Sequence, residues 1–349
     1  MCGNSCISGF EGAQRMKKRR ECIAVLLALA LFLGIGWVTG QLLMPPRTEY
    51  GSAWDAYLQE PKESMDVLCF GSSLVYCSII PAALWQESAL RSFVLAGPEQ
   101  TIPMTYYCLR EACRTQSPRL VLLDCTAMFF PRYKNYTKAN IGYLPVGANR
   151  LAATFRTAPV SEWPGLLFPI FNYHYRWKEI TPADLRARLQ PQRSDTAGYT
   201  VLTSAAADPG PAVWEEFSLE NADYARNLEY LTKLRDYCTA HEIELLLYLT
   251  PTQSKLPTSS LETIRTDAAA LEIEFADFNG ILPALGVDDS TDWYDCLHFN
   301  LSGAEKFSRW LGAELSGRMA PTVAGAEAEA LWQERAAYLD TLGETEEDG

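Results

Sequence analysis

Short uninterrupted runs of apolar residues alternate along this chain with segments in which apolar residues recur every three or four positions. The first pattern is typical of strands buried on both faces of a parallel sheet, and the second of amphipathic helices. The predicted strands are 65–70, 92–97, 120–123, 244–250 and 273–275. The predicted helices are 81–90, 101–114, 221–240, 259–271, 302–315 and 325–341. This alternation predicts an α/β fold, a three-layer α/β/α sandwich around a mostly parallel sheet.

An apolar segment near the N-terminus predicts a membrane span. Residues 22–44 carry no charged side chain and are numerous enough for a helix that crosses a bilayer. Lys17, Lys18, Arg19 and Arg20 precede the segment, which predicts a cytoplasmic N-terminus with the rest of the chain outside the cell. A secretory signal peptide is the alternative, but its apolar region is usually shorter. We therefore expect an uncleaved, single-pass anchor in the cell membrane.

The remaining elements predict one α/β domain with an insert. The predicted parts are a cytoplasmic head at 1–21, the anchor at 22–44, a juxtamembrane lead-in at 45–64, the domain at 65–320, and a C-terminal helix with a disordered acidic tail at 321–349. Within the domain, residues 129–217 break the alternation of strands and helices. So long an irregular segment is usually functional or an inserted subdomain.

Charge is distributed unevenly along the chain. The 30 Lys/Arg and 43 Asp/Glu residues give a net charge of −13, which argues against binding to nucleic acid. Residues 129–193 nevertheless hold ten basic and three acidic residues, together with many aromatic rings. Such a segment suits sugar faces, an anionic polymer, or the lipid bilayer. We predict that His174, Arg176 and Trp177 bind substrate; a hydrophobic subdomain with a solvated basic rim is the alternative.

Two distant segments carry the candidate catalytic residues. Gly71-Ser72-Ser73-Leu74 follows the first predicted strand, where a hydroxyl lies in a crevice lined by backbone N–H groups. Asp295 precedes His298 by three residues, a spacing at which a carboxylate orients an imidazole that takes a proton from serine. Both serines as mere helix caps are the alternative, and Asp292 lies close enough to be mistaken for the orienting carboxylate. With three histidines and no Cys-x-x-Cys, we expect neither a metal site nor a cofactor.

These two segments resemble the SGNH (GDSL-type) family of hydrolases and acyltransferases. The likeness is to its membrane-anchored, envelope-modifying members, such as alginate O-acetylation and teichoic-acid D-alanylation proteins, and it covers roughly residues 60–318 in layout. It implies a flavodoxin-like strand order, Ser73 as nucleophile, His298 as base and Asp295 as its orienter. Ser72 stands where the family usually has Asp, and it remains a rival nucleophile.

The resemblance is weakest at the oxyanion hole. It implies donors at Ser73 and at Gly97, which follows the second predicted strand. The family's third donor is an Asn after the third strand, but no Asn stands there and Thr126 is nearest. Ser72 and Asp124 are predicted to face the substrate as part of the polar network. A missing donor costs on the order of 10²–10³ in rate if nothing replaces it.

The predicted function is that of an extracytoplasmic serine esterase or O-acyltransferase acting on a cell-envelope glycan or acyl ester through an acyl-serine intermediate. The resemblance also implies a polytopic membrane acyltransferase as a partner. A non-catalytic accessory protein that binds the glycan or that partner is the alternative, and the missing Asn favours it.

Overall fold

The computed structural model of the chain describes residues 4–205, 223–323 and 325–347. These residues form two compact units. The smaller unit, which we call the anchor unit after the predicted span, contains the chain up to residue 45 together with residues 164–189. The larger unit contains residues 46–163 and the chain from 190 onward.

A five-stranded, all-parallel sheet forms the centre of the larger unit. Its strands are β1 (Val67–Phe70), β2 (Ser92–Val94), β3 (Leu120–Asp124), β4 (Glu244–Leu249) and β5 (Glu274–Asp277). They lie in the order β2-β1-β3-β4-β5, with Val67 beside both Ser92 and Leu120. This order is the flavodoxin-like one, and the predicted α/β class and parallel sheet are confirmed.

Helices cover both faces of the sheet. In chain order the helices are α1 (Asn4–Leu43), α2 (Trp54–Tyr57), α3 (Ser73–Tyr76), α4 (Pro81–Ser88), α5 (Ile102–Ala112), α6 (Thr137–Ile141), α7 (Ala148–Thr157), α8 (Trp163–Leu167), α9 (Ile170–Tyr173), α10 (Pro182–Leu189), α11 (Tyr224–Ala240), α12 (Thr258–Ala270), α13 (Leu282–Leu285), α14 (Leu301–Arg318) and α15 (Ala326–Glu347). On one face α14 and α15 pack against α4, and on the other α7 and α11 pack against α5. Because β1 and β3 are buried on both faces, their residues are apolar at successive positions rather than at alternate ones.

Some predicted boundaries differ from those in the structure. The described part of the predicted insert, 129–205, contains short helices α6–α10 and no strand, and 206–217 lie outside the described residues. The helix predicted from 302 begins at Leu301 instead, and Asn300 caps it by accepting from the Gly303 amide at 3.2 Å. The C-terminal helix predicted over 325–341 is longer than expected, because α15 extends to Glu347.

The anchor unit is built on α1. Within this helix, Arg15–Leu43 is long and apolar enough to cross a membrane. The C-terminal end of α1 is contacted by α9 and α10, which come from the middle of the chain. Residues 164–189 of the predicted insert therefore belong structurally with α1.

A buried carboxylate joins the amino ends of three strands. Asp66, directly before β1, accepts three hydrogen bonds from Arg91, at 2.9–3.1 Å, and one from Arg119 at 3.1 Å. Thr322 donates two more, through its amide at 3.0 Å and its hydroxyl at 2.7 Å. Burial alone would raise the pKa of Asp66, but the donors from Arg91 and Thr322 outweigh it and hold that pKa below its usual value. The ionised form is therefore the one that the fold stabilises.

We predict that Asp66→Asn lowers the free energy of unfolding by about 3–5 kcal/mol at pH 7, because it leaves the buried Arg91 guanidinium without its counter-charge. A group whose pKa is lower in the folded state stabilises above its unfolded pKa, about 3.9 for Asp, and that contribution is lost as the pH falls. Urea unfolding of the full chain in mild detergent should show the difference from the parent shrinking below about pH 4.

The matched control is Asp236→Asn, whose carboxylate makes an exposed pair with Arg235 and should cost about 1 kcal/mol or less. If the free energy of unfolding of Asp66→Asn differs from that of the parent by the same amount at pH 7 and pH 3, Asp66 is not stabilised in its ionised form.

Candidate active site

The turn after β1 places Ser73 at the carboxyl edge of the sheet. Gly71 has φ +154°, and a Cβ there would lie 2.4 Å from Val75 Cγ2 and 2.9 Å from Asp124 Cβ. Only glycine therefore fits this turn. Ser72 is the N-cap of α3, and its hydroxyl accepts from the Leu74 amide at 3.4 Å. Ser73 is the first residue of α3, in the turn where the backbone N–H groups have no hydrogen-bond partner within the helix.

The loop that carries His298 is held in place by its own carboxylate. Asp295 Oδ1 accepts the amides of Leu297 and His298 at 2.8 and 2.9 Å. Behind the loop, Trp293 and Phe299 stack at 4.2 Å between ring centroids, and both are buried. The backbone at His298 is therefore held by the Asp295 carboxylate on one side and by the packing of Trp293 and Phe299 on the other.

The two candidate segments meet although 225 residues separate them. His298 Nε2 lies 2.8 Å from Ser73 Oγ, and His298 Nδ1 lies 2.9 Å from each Asp295 carboxylate oxygen. Because a carboxylate only accepts, the network assigns the hydrogen to Nδ1 and leaves Nε2 to accept from Ser73. The imidazole is 18% exposed, so a ligand can reach it.

Asp295 is electrostatically suited to this arrangement. Burial would raise its pKa, but the hydrogen bond and charge of His298, with the two backbone donors, lower that pKa below its usual value. A carboxylate that stays ionised holds the ring orientation and stabilises an imidazolium when one forms.

Asp292 has a different role from Asp295. Its side chain is 1% exposed and accepts from Lys306 at 2.6 Å, from the Ser302 hydroxyl at 2.7 Å and from the Asp288 amide at 2.6 Å. These contacts tie the loop to the first turns of α14. The ambiguity between the two carboxylates is resolved by geometry in favour of Asp295.

Two predicted oxyanion donors already have partners within the fold. The Gly97 amide donates to the Gly71 carbonyl at 3.1 Å, so it is not directed at Ser73. The Thr126 amide and hydroxyl both donate to Asp124 Oδ1, and Thr126 is fully buried. Of the predicted donors only the Ser73 amide remains.

Asp124 does not face the substrate as predicted either. Its second oxygen accepts from the Thr250 amide at 3.0 Å and the Thr250 hydroxyl at 2.6 Å, and the residue is fully buried. Burial raises the pKa of Asp124 despite these neutral donors. The side chain joins the carboxyl ends of β3 and β4, directly behind the turn at Gly71.

Sequence reasoning missed Tyr76, and also Arg47, whose charge acts on the Tyr76 phenol. Tyr76 lies one helical turn further along α3 than Ser73, on the same face of the helix. Burial raises the pKa of Tyr76, while nearby Arg47 and Ser73 oppose the rise in part, so the phenol stays protonated. The Ser73-x-x-Tyr76 spacing was the available signal, whereas Arg47 precedes the motif by 26 positions with no pattern to indicate it.

Asn140 was also missed. A Cβ on Gly97 would lie 1.9 Å from Asn140 Oδ1, so the amide packs directly on this glycine. Its Oδ1 accepts from Ser52 at 2.6 Å, and its Nδ2 donates to the Pro98 carbonyl at 2.8 Å. Asn140 holds the loop after β2, and nothing in the sequence around it indicates that role.

The predicted substrate residues His174, Arg176 and Trp177 lie in the anchor unit. Arg176 is engaged there, donating to the Leu43 carbonyl at 2.6 Å and pairing with Asp184 at 3.6 Å. The Ser72 hydroxyl likewise caps α3, and its only described partner is the Leu74 amide.

No family model matches the chain, and no curated protein matches it. A solved structure that does match is that of BT4096, a gut microbial diltiazem-metabolizing enzyme, at 12% identity and a TM-score of 0.36. The match covers 73% of this chain and 48% of that one, so this chain spans about half the length of that enzyme. Neither fold nor activity is inferred from so distant a match.

We predict that Asp295→Asn lowers the rate at which a fluorophosphonate labels Ser73 on the order of 10⁴-fold, because an amide no longer selects the Nδ1–H tautomer of His298. The control is Asp292→Asn, which should reduce thermal stability while leaving the labelling rate of the folded protein close to that of the parent. Equal losses of labelling rate in the two variants would show that Asp295 has no special role.

Proposed function

We propose that the protein is a membrane-anchored, extracytoplasmic SGNH-like serine esterase or O-acyltransferase that acts on a cell-envelope glycan through an acyl-serine intermediate. The observation that carries the proposal is the contact between Ser73 Oγ and His298 Nε2 at 2.8 Å, with Asp295 on the other ring nitrogen. A serine, a base and an orienting carboxylate in this geometry are the parts of nucleophilic acyl transfer.

In the first half-reaction His298 Nε2 takes the Ser73 proton as Ser73 Oγ attacks an ester carbonyl. The tetrahedral intermediate collapses, the carbon–oxygen bond to the alcohol breaks, and His298 returns the proton to the departing oxygen. The acyl group remains on Ser73. In the second half-reaction water or a sugar hydroxyl loses its proton to His298 and attacks the carbonyl carbon of the acyl-serine. The bond from that carbon to Ser73 Oγ breaks, and His298 returns the proton to Ser73 Oγ.

The oxyanion needs donors, and Tyr76 is our proposal for the one that the missing Asn would have supplied. Its phenol stays protonated, and Tyr76 follows Ser73 by three residues on the same face of α3. The Ser73 amide, at the start of α3, is the other proposed donor. Two donors at the point where negative charge develops are the arrangement that stabilises acyl-transfer intermediates.

The position outside the cell is supported by the order of charge and apolar residues. The basic cluster precedes the apolar part of α1, so the positive-inside tendency directs the chain after α1 to the outer side. A glycan or acyl ester of the cell envelope is the substrate that such a location offers, and a polytopic acyl-donating membrane protein is the proposed partner.

A non-catalytic accessory role remains the second candidate. The observation that favours it is the engagement of Gly97 and Thr126 in structural hydrogen bonds, which removes two of the expected oxyanion donors. In that case Ser73 and His298 serve as a polar surface that binds the glycan or the membrane partner.

Labelling of the full chain by a fluorophosphonate separates the two candidates. The enzyme hypothesis predicts a covalent bond between Ser73 Oγ and phosphorus, with loss of fluoride and transfer of the proton to His298. Labelling should vanish in Ser73→Ala and persist in Ser72→Ala, because Ser72 only caps α3. Absence of labelling in the parent would favour the accessory role.

Tyr76→Phe should lower kcat for p-nitrophenyl acetate on the order of 10²–10³-fold with little change in KM, because the proposed bond forms fully only in the transition state. Tyr133→Phe, which removes the hydroxyl of an exposed ring, is the control. If the Tyr76 variant keeps the parent kcat, another group must stabilise the oxyanion.

A further inference from the structure

The segment that packs on the end of the span is the strongest unassigned feature. We call residues 164–189 the collar. The 3-10 turn at His174–Lys178 contacts α1, as do α9 and α10. The collar is thus attached to α1 through three of its elements, although more than a hundred residues separate the two in sequence.

The attachment depends on one glycine. A Cβ on Gly40 would lie 2.4 Å from the Ile170 nitrogen and 3.0 Å from the Pro169 carbonyl carbon, so backbone meets backbone there. Gly36, one turn earlier, has nothing within 4 Å of the same position. Of these two glycines, only Gly40, in the last turn of α1, is in close contact with the collar.

Two arginines of the collar cap α1. Arg176 Nη1 donates to the Leu43 carbonyl at 2.6 Å, and Arg188 Nε donates to the Gln41 carbonyl at 3.0 Å. The last four carbonyls of a helix have no partner within the helix, and cations are favoured at that end. Because α1 has no basic residue in its own last turn, the collar supplies this charge.

The outward side of the collar is aromatic and basic. Four large apolar side chains are more than half exposed: Phe171 at 63%, Tyr175 at 55%, Trp177 at 65% and Leu189 at 68%. Of the four basic residues of the collar, Arg176 and Arg188 bind α1, so its exposed charges are those of Lys178 and Arg186 against that of Glu179. Exposed Trp and Tyr interspersed with Lys and Arg are the composition of a membrane–water interface.

Length places this surface at a definite depth. About 20 helical residues cross the hydrocarbon core, and the uncharged segment that begins at residue 22 reaches that length near residue 41. The collar joins α1 at Gly40 to Leu43, which is the same level.

We infer that the collar lies in the headgroup region of the outer leaflet, with Phe171, Tyr175 and Trp177 among the upper acyl chains and Lys178 and Arg186 at the phosphates. Its occupant is lipid, with anionic headgroups preferred. The inference rests on the proposed anchoring but not on catalysis by Ser73, so fluorophosphonate labelling and the tests below fail independently of each other.

Bromine-labelled lipids test the inference. The full chain is reconstituted in vesicles of phosphatidylcholine, with and without phosphatidylglycerol, in which the acyl chains carry bromine close to the headgroup. Trp177→Phe should reduce the fraction of tryptophan fluorescence that is quenched, more so with phosphatidylglycerol, whereas Trp310→Phe in the larger unit should leave it unchanged. Unchanged quenching in Trp177→Phe in both lipids would overturn the inference and leave a protein partner as the occupant of this surface.

Gly40→Ala and Gly36→Ala form a matched pair that tests the attachment. Alanine favours a helix in both variants, so neither should lose the span. Gly40→Ala should displace the collar and reduce the quenching of Trp177, while Gly36→Ala should leave it as in the parent. The same quenching in both variants would show that the collar is not held by the close contact at Gly40, and would overturn the placement by depth.

Discussion

The packing of α14 on α4 is the interaction on which the candidate site depends. Helix α4 follows Ser73 and α14 follows His298, so the distance between these helices sets the distance between the two side chains. Gly312 allows the close approach, since a Cβ there would lie 2.8 Å from the Leu84 carbonyl oxygen. Ser308 completes the contact by accepting from the Ile80 amide at 2.7 Å and donating to the Ser78 carbonyl at 3.2 Å. This packing brings Ser73 and His298, which lie 225 residues apart in sequence, within hydrogen-bonding distance of each other.

The two edges of the sheet are held by carboxylates in different electrostatic states. Asp66 at the amino edge meets two guanidinium groups, and its pKa is lowered. Asp124 at the carboxyl edge meets only the neutral donors of Thr126 and Thr250, and burial raises its pKa. Ionic contacts thus lock the edge away from Ser73, while neutral hydrogen bonds support the edge that carries it.

The fold was predictable because its signals are local. Runs such as Val67–Phe70 must be buried on both faces, and only a covered parallel sheet provides this. The pairing of Ser73 with His298 was also predictable, because each lies in a short motif at the edge of a predicted element. The oxyanion donors were not, because the fate of the Gly97 amide depends on its neighbour Gly71 and not on its own sequence. The α14 cap was ambiguous for a related reason: Asn300 and Ser302 are both good caps, and the bond from Ser302 to Asp292 decides between them.

The basic insert shows why charge counted along a chain differs from charge on a surface. Of the ten basic residues between 129 and 193, four lie in the collar. Arg176 and Arg188 are directed at the carbonyl ends of α1, so their charge offsets the helix dipole and does not form part of a polymer-binding patch. The aromatic residues divide in the same way: Trp163 packs edge-on against Phe155 at 4.9 Å, while Trp177 is exposed in the collar. An aromatic and basic composition suits a sugar, a lipid or a hydrophobic core equally well. Only the contacts of each ring distinguish these roles, and the collar makes its contacts with the C-terminal end of α1.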